Sequence, residues 1–186
     1  MKTFEYKPLS PWDVRGVQRL AQQDLELARV PDASDIANPN SVSHLVKGFM
    51  AMKAYQGEYI GASSKNHLEG YLKIGEWGEA DDREYSPLKL NEPIGQLEMG
   101  IFGLVVSSQL EKMYQVDIAC NLLDMATDRG RELGASAINI VFHQHDPIRR
   151  LAVNHGYEFT GRTGEVGKVP GIVQSLYSMQ LVDTAS

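Results

Sequence analysis

The segment "SAINIVFHQ", Ser136 to Gln144, restricts the fold more than any other part of the chain. It has the length of a β-strand, and apart from Asn139 its centre is apolar without alternation. Side chains on a strand point to opposite faces in turn, so a strand that is apolar on both faces has to be covered on both. Before it stands "MYQVDIACNLLDMATDRGRELGA", Met113 to Ala135, whose spacing predicts an amphipathic helix from about Gln115 to Leu133, closed by Gly134 as a C-terminal cap. After it stands "HDPIRRLAVNHG", a short helix with Asp146 as cap, Pro147 at its first position and Gly156 beyond its end.

The rest of the chain supplies further strands and helices. "TFEYKPLS" alternates and reads as a first strand, and "SPWDVRGVQRLAQQDLELA" as a helix with Ser10 as cap, Pro11 in its first turn and a stripe of Val14, Val17, Leu20 and Ala21. Residues 29–41 are a polar loop, and "SVSHLVKGFMAMKAY" is a second helix. Glu58–Ser64 and His67–Trp77 read as two strands joined by a tight Lys65-Asn66 turn. "GEADDREYSPLKLNEPIG" is an acidic, turn-rich excursion, and "GQLEMGIFGLVVSS" is the third of these strands. "YEFTGRT" and "VQSLYSMQLV" are strands separated by the glycine-rich "GEVGKVPG". The order β-α-α-β-β-β-α-β-α-β-β predicts an α/β fold of three layers, one mixed sheet with helices on both faces.

Composition excludes several functions. The 186 residues are 42% hydrophobic and 23% charged, as in an ordinary globular protein. A net charge of −6 argues against general nucleic-acid binding and leaves room only for a local basic patch. No run approaches the roughly 18 apolar residues of a membrane span, and "MKTFEYKPLSPWD" has no apolar segment of a signal peptide. The single cysteine, Cys120, rules out an internal disulfide and fits a reducing, cytoplasmic setting. It falls within a helical pattern and reads as a small core residue.

The two segments "GIFGLVVSSQLEKMYQVDIACNLLDMA" and "SAINIVFHQHDPIRRLAVNHGYEF" resemble the GCN5-related N-acetyltransferase (GNAT) superfamily, and the element order resembles it across nearly the whole chain. The resemblance implies a single GNAT-like domain over residues 1–186, with a mixed, mostly antiparallel sheet. It also implies acetyl-CoA as cofactor and an amine, on a small molecule or a protein, as acceptor. In the family a loop of the form Arg/Gln-x-x-Gly-x-Gly/Ala leads into a helix, where free N–H groups and the helix dipole hold the cofactor's pyrophosphate. The matching positions are Tyr114, Gln115, Val116, Asp117, Ile118 and Ala119. Ala119 fits the pattern. Gln115 stands one place off, and Asp117 replaces the first glycine, where a carboxylate facing a pyrophosphate costs on the order of 1 kcal/mol or more.

The same resemblance places the general base at Glu98 and the groups that hold the thioester oxygen at the Val105 and Val106 N–H. His145 falls where the family has an Asn that contacts the cofactor, and Ala152 where it has a proton-donating Tyr. Tyr157 and Tyr114 are the phenols able to substitute as donor. Arg149 and Arg150 suit a CoA phosphate or plain solvent exposure equally well, and "EADDRE" suits a cationic substrate or a solvated loop. His143 and His145 share a strand face, but a metal site needs a third ligand. His155 and Asp146 lack motif spacing, so no metal is expected.

Two functional classes remain. One is an N-acyltransferase acting by direct attack of the amine on the thioester. The other is a GNAT-fold binding or structural module without activity, such as an assembly component of the kind found in tailed phages. A homo-oligomer or an assembly partner is compatible with either.

Overall fold

The computed structural model describes residues 2–27, 57–77, 97–143, 146–165 and 173–181. The expected second helix, the polar loop 29–41, the acidic excursion 78–95 and most of the glycine-rich loop lie outside them. The described strands are β1 (Glu5–Pro8), β2 (Glu58–Ser64), β3 (His67–Glu76), β4 (Glu98–Val106), β5 (Ala137–His143), β6 (Glu158–Glu165) and β7 (Val173–Gln180). They form one sheet in the order β1-β2-β3-β4-β5-β7-β6. The β4–β5 pair is parallel and every other pair antiparallel. The sheet is therefore mixed and mostly antiparallel, as expected.

Helices cover both faces. A 3-10 turn (Pro11–Asp13) leads into α1 (Val14–Leu27). The Asp13 carboxylate accepts from the Ser10 backbone N–H at 2.9 Å and from its hydroxyl at 2.8 Å, which fixes the entry. Val14, Val17 and Leu20 of α1 pack with Tyr59, Leu68, Tyr71 and Val105 on one face. On the other face, Ile118, Leu122 and Leu123 of α2 (Lys112–Glu132) pack with Ile60, Leu72, Met99, Ile138 and Phe142. A leucine buried in this way contributes about 1.5–3 kcal/mol.

The tight hairpin is as the sequence predicts. Lys65 and Asn66 both take positive φ, 49° and 67°, the left-handed pair that matches the twist of two antiparallel strands. Both long stops are also as predicted. Gly134 has φ +71°, with Gly134 N–H to Arg131 O and Ala135 N–H to Gly130 O; Gly156 has φ +95°, with Gly156 N–H to Val153 O and Tyr157 N–H to Ala152 O. In each case a left-handed glycine closes the last turn of a helix.

Two helix starts differ from the sequence reading. α2 begins at Lys112, three residues before Gln115, because the Gln115 side chain donates back to the Leu110 carbonyl at 2.7 Å and ties down a first turn that has no side-chain cap. The short helix α3 is Arg149–Asn154. Asp146 does not cap it: its carboxylate accepts the Ile148 N–H at 2.8 Å, which closes the turn that precedes the helix.

Candidate active site

The parallel strands β4 and β5 are paired at only four positions, from Glu98↔Ala137 to Ile101↔Ile140. β4 then continues to Val106 beside β3, and β5 continues to His143 beside β7. Past Ile101 and Ile140 the two strands turn their inner edges to a gap instead of to each other. A bulge sits where they part. Lys73 opposes Gly103 and Ile74 opposes Ile101, so Phe102 is an extra residue in β4. The extra residue resets the alternation, and Ile101 and Leu104 therefore face α2 while Phe102 and Val105 face α1.

Glu98 lies at the paired end of β4, roughly 10 Å along the strand from Ile101. Its carboxylate accepts a 2.7 Å hydrogen bond from the buried Asn139 amide of β5. That bond fixes the position of the carboxylate between β4 and β5. On the same face the Trp77 indole lies over Gly100, where an added Cβ would come within 2.1 Å of the ring. The indole stacks on Phe102 at 5.6 Å and 15°, and the Lys73 ammonium sits 5.2 Å from the Phe102 ring. Residue type alone did not mark Trp77, Phe102 and Lys73 as a wall beside Glu98; the β3–β4 register brings them there.

Val105 and Val106 end β4 along the open gap. Ser107 follows, with its N–H bonded to the Glu69 carbonyl at 2.7 Å, and its fully buried hydroxyl has no partner among the described residues. An orphaned hydroxyl at the end of an open strand edge is a place for a ligand group.

The six loop-like positions Tyr114 to Ala119 fall inside α2. The N–H groups of Tyr114 and Gln115 already donate to Glu111 O, at 2.9 and 3.1 Å, and the next four lie in the helical ladder. Lys112 and Met113 begin the helix, and their N–H groups have no helical carbonyl behind them. Asp117 is exposed. It points along the helix, with Oδ1 3.4 Å from the Asn121 amide nitrogen, and it contributes with burial to the raised pKa of the Tyr6 phenol on β1. Tyr114 packs edge-on against Phe4 at 5.8 Å, and its hydroxyl accepts from the Lys2 N–H at 3.2 Å. The half-buried Cys120 is a free thiol, pushed up in pKa by burial and then by Asp124 and Asp117, which makes it a poor nucleophile.

Tyr157 is fully buried in the core beneath α2, on the opposite side of the sheet from Glu98. Its hydroxyl faces Thr127, and burial holds it protonated far above the ordinary phenol range. The structure does not bring it together with Glu98. Ala152 is likewise in the core. His145 lies outside the described residues.

Asp146 lies just past the end of β5. Burial pushes its carboxyl up to about 6, against the opposing pull of the Ile148 N–H and Arg149. A carboxyl raised from 3.8 favours the protonated native state, so its stabilising contribution is complete below about pH 3.8 and is lost as pH rises through about 6. Asp146→Asn keeps an acceptor for Ile148 and removes the charge. Above pH 7 it should raise the unfolding free energy by about 1–3 kcal/mol, and at pH 4 the gain should vanish. Urea melts of both proteins at the two pH values check this; an equal gain at pH 4 would show that the charge is not the cause.

No protein-family model matches the chain, and no curated protein matches it. Solved structures do match. The YncA protein of Salmonella typhimurium, solved with its cofactor acetyl-CoA, superposes with a TM-score of 0.69 at 14% identity, over 98% of this chain and 96% of that one. The ribosomal-protein-alanine N-acetyltransferase of Brucella melitensis gives 0.70 at 13% identity, over 95% and 99%. The PaiA N-acetyltransferase of Thermoplasma acidophilum, in complex with coenzyme A, gives 0.65 at 13%, over 96% and 99%. The chain has the GNAT fold. Among the described residues no helix is long and apolar enough to cross a membrane.

Proposed function

We propose that residues 1–186 form one cytoplasmic N-acyltransferase domain that moves an acetyl group from acetyl-CoA to an amine on a small molecule or a protein. The parting of β4 from β5 after Ile101 and Ile140 carries this reading. Two strand edges facing a gap suit an extended pantetheine arm, which can add to the sheet as a strand does. The neighbours solved with acetyl-CoA and with coenzyme A support it. Acetyl-CoA supplies the activated acyl group. The Val106 N–H is assigned to its thioester oxygen, and the unpartnered Ser107 hydroxyl offers a further bond nearby; the Val105 N–H, like that of Ser107, is turned to β3.

Glu98, held by Asn139, takes the proton of the attacking amine; its distance from Ile101 makes a water relay the natural route. Trp77 and Phe102 form a stacked aromatic wall beside it. No acid is assigned: Ala152 has no proton to give, and the Tyr157 phenol lies in the core. Because the Tyr114–Ala119 N–H groups are used by the helix, the pyrophosphate is assigned to the Lys112 and Met113 N–H groups at the start of α2.

The early start of α2 also favours the second reading, a GNAT-fold binding or assembly module without activity, because it removes the N–H groups that a phosphate loop uses. Calorimetry with acetyl-CoA, followed by acetyl transfer to a panel of amines, separates the two. Binding with transfer to any amine supports the enzyme, and a protein that neither binds acetyl-CoA nor acylates is a module.

A further inference from the structure

A cavity lies at the β1 edge of the sheet, whereas the β4–β5 gap lies between two inner strands. It has a volume of about 830 Å³ and is formed by β1, the start of α1 and the Lys65-Asn66 turn. Trp12 lines it and is 94% exposed, although an indole is ordinarily among the more buried side chains. Lys7, Arg15, Arg19 and Lys65 line it as well, against two carboxylates, Glu5 and Asp13. Asp13 is already committed to Ser10. Arg19 donates to the Leu68 carbonyl, and among the described residues no ion pair neutralises Lys7, Arg15 or Lys65. Cations that gather around one exposed indole and have no ion pair among the described residues are unexpected on a chain of net charge −6.

We propose that this cavity binds a phosphorylated compound with a planar heteroaromatic ring, of mononucleotide size. The indole offers a flat apolar face on which a ring can stack, and Lys7, Arg15 and Lys65 offer charge-assisted bonds to a phosphate. The volume falls in the range of roughly 300–1,000 Å³ that suits one small ligand. An acidic peptide would satisfy the cations but leave the indole in water. The proposal is independent of the acyltransferase reading, because no residue of β4, β5 or α2 lines the cavity.

The test is calorimetry of the intact protein with AMP, adenosine, ribose 5-phosphate and a poly-glutamate peptide. AMP is expected to bind saturably, with adenosine and ribose 5-phosphate each weaker by about tenfold or more, since each lacks one half of the recognition. Trp12→Ala should weaken AMP about 5- to 150-fold, as loss of a stacking platform does. The Arg15→Gln/Lys65→Gln pair should weaken it by about tenfold or more, and raising salt to about 0.3 M should weaken the native protein further. These are surface changes, so thermal melts should be nearly those of the native protein. Absence of AMP binding up to about 10 mM overturns the proposal. So does AMP binding that the Trp12 and Arg15/Lys65 variants leave intact, which places the nucleotide elsewhere, including in the β4–β5 gap. Poly-glutamate binding without AMP binding overturns it in favour of an acidic protein segment.

Discussion

Replacing Glu98 with glutamine is expected to lower acetyl-transfer turnover by about 10²–10⁴-fold while acetyl-CoA affinity stays at the native value. The amide has the shape of the carboxylate but cannot accept the amine's proton. It can still meet the Asn139 amide nitrogen, 2.7 Å from the native oxygen, through its own carbonyl oxygen, so β4 and β5 should keep their pairing. The measurement pairs steady-state rates with calorimetry of acetyl-CoA. A variant with native turnover removes Glu98 as the base. A native protein that transfers no acetyl group and binds no acetyl-CoA removes the enzyme altogether, and Glu98→Gln would then change stability alone.

Phe142→Ala should destabilise the protein by about 3–5 kcal/mol. Phe142 is 2% exposed and sits on the β5 face that packs beneath α2. Its ring meets Tyr177 of β7 edge-on at 5.6 Å and 70°. Truncation forfeits this contact and leaves a cavity between the sheet and α2 that the neighbouring β-strands cannot close without losing their register. Urea unfolding with the slope held common to both proteins gives the difference directly. A loss under about 1 kcal/mol would mean that the core collapses into the space, and would contradict the close packing assigned to this face.

The parts of the fold that were legible from sequence are those encoded within a few residues. The Lys65-Asn66 turn, the left-handed stops at Gly134 and Gly156, and the doubly covered β5 each follow from local dihedral preference or local periodicity. The start of α2 was misplaced because its first turn is held by Gln115 reaching back to Leu110, a bond that no capping pattern announces. Asp146 was placed correctly in the chain but given the wrong local partner, and its burial depends on elements packed around it.

The candidate site divides along the same line. Glu98 and Val105-Val106 are proposed from the sequence because the resemblance carries residue types at set spacings. The Asn139 partner of Glu98, the Trp77–Phe102 wall and the cations around Trp12 were not, because they join residues tens of positions apart. Hydrophobic period and glycine placement act through neighbours in the chain, so the amino-acid order alone was enough for an α/β sheet with a helix on each face. The bulge at Phe102, the divergence of β4 from β5 and the enclosure of helical turns where a phosphate loop was expected arise when strands and helices compete for the same partners. Those outcomes are settled by cross-strand register and packing, which exist only once the chain has closed on itself.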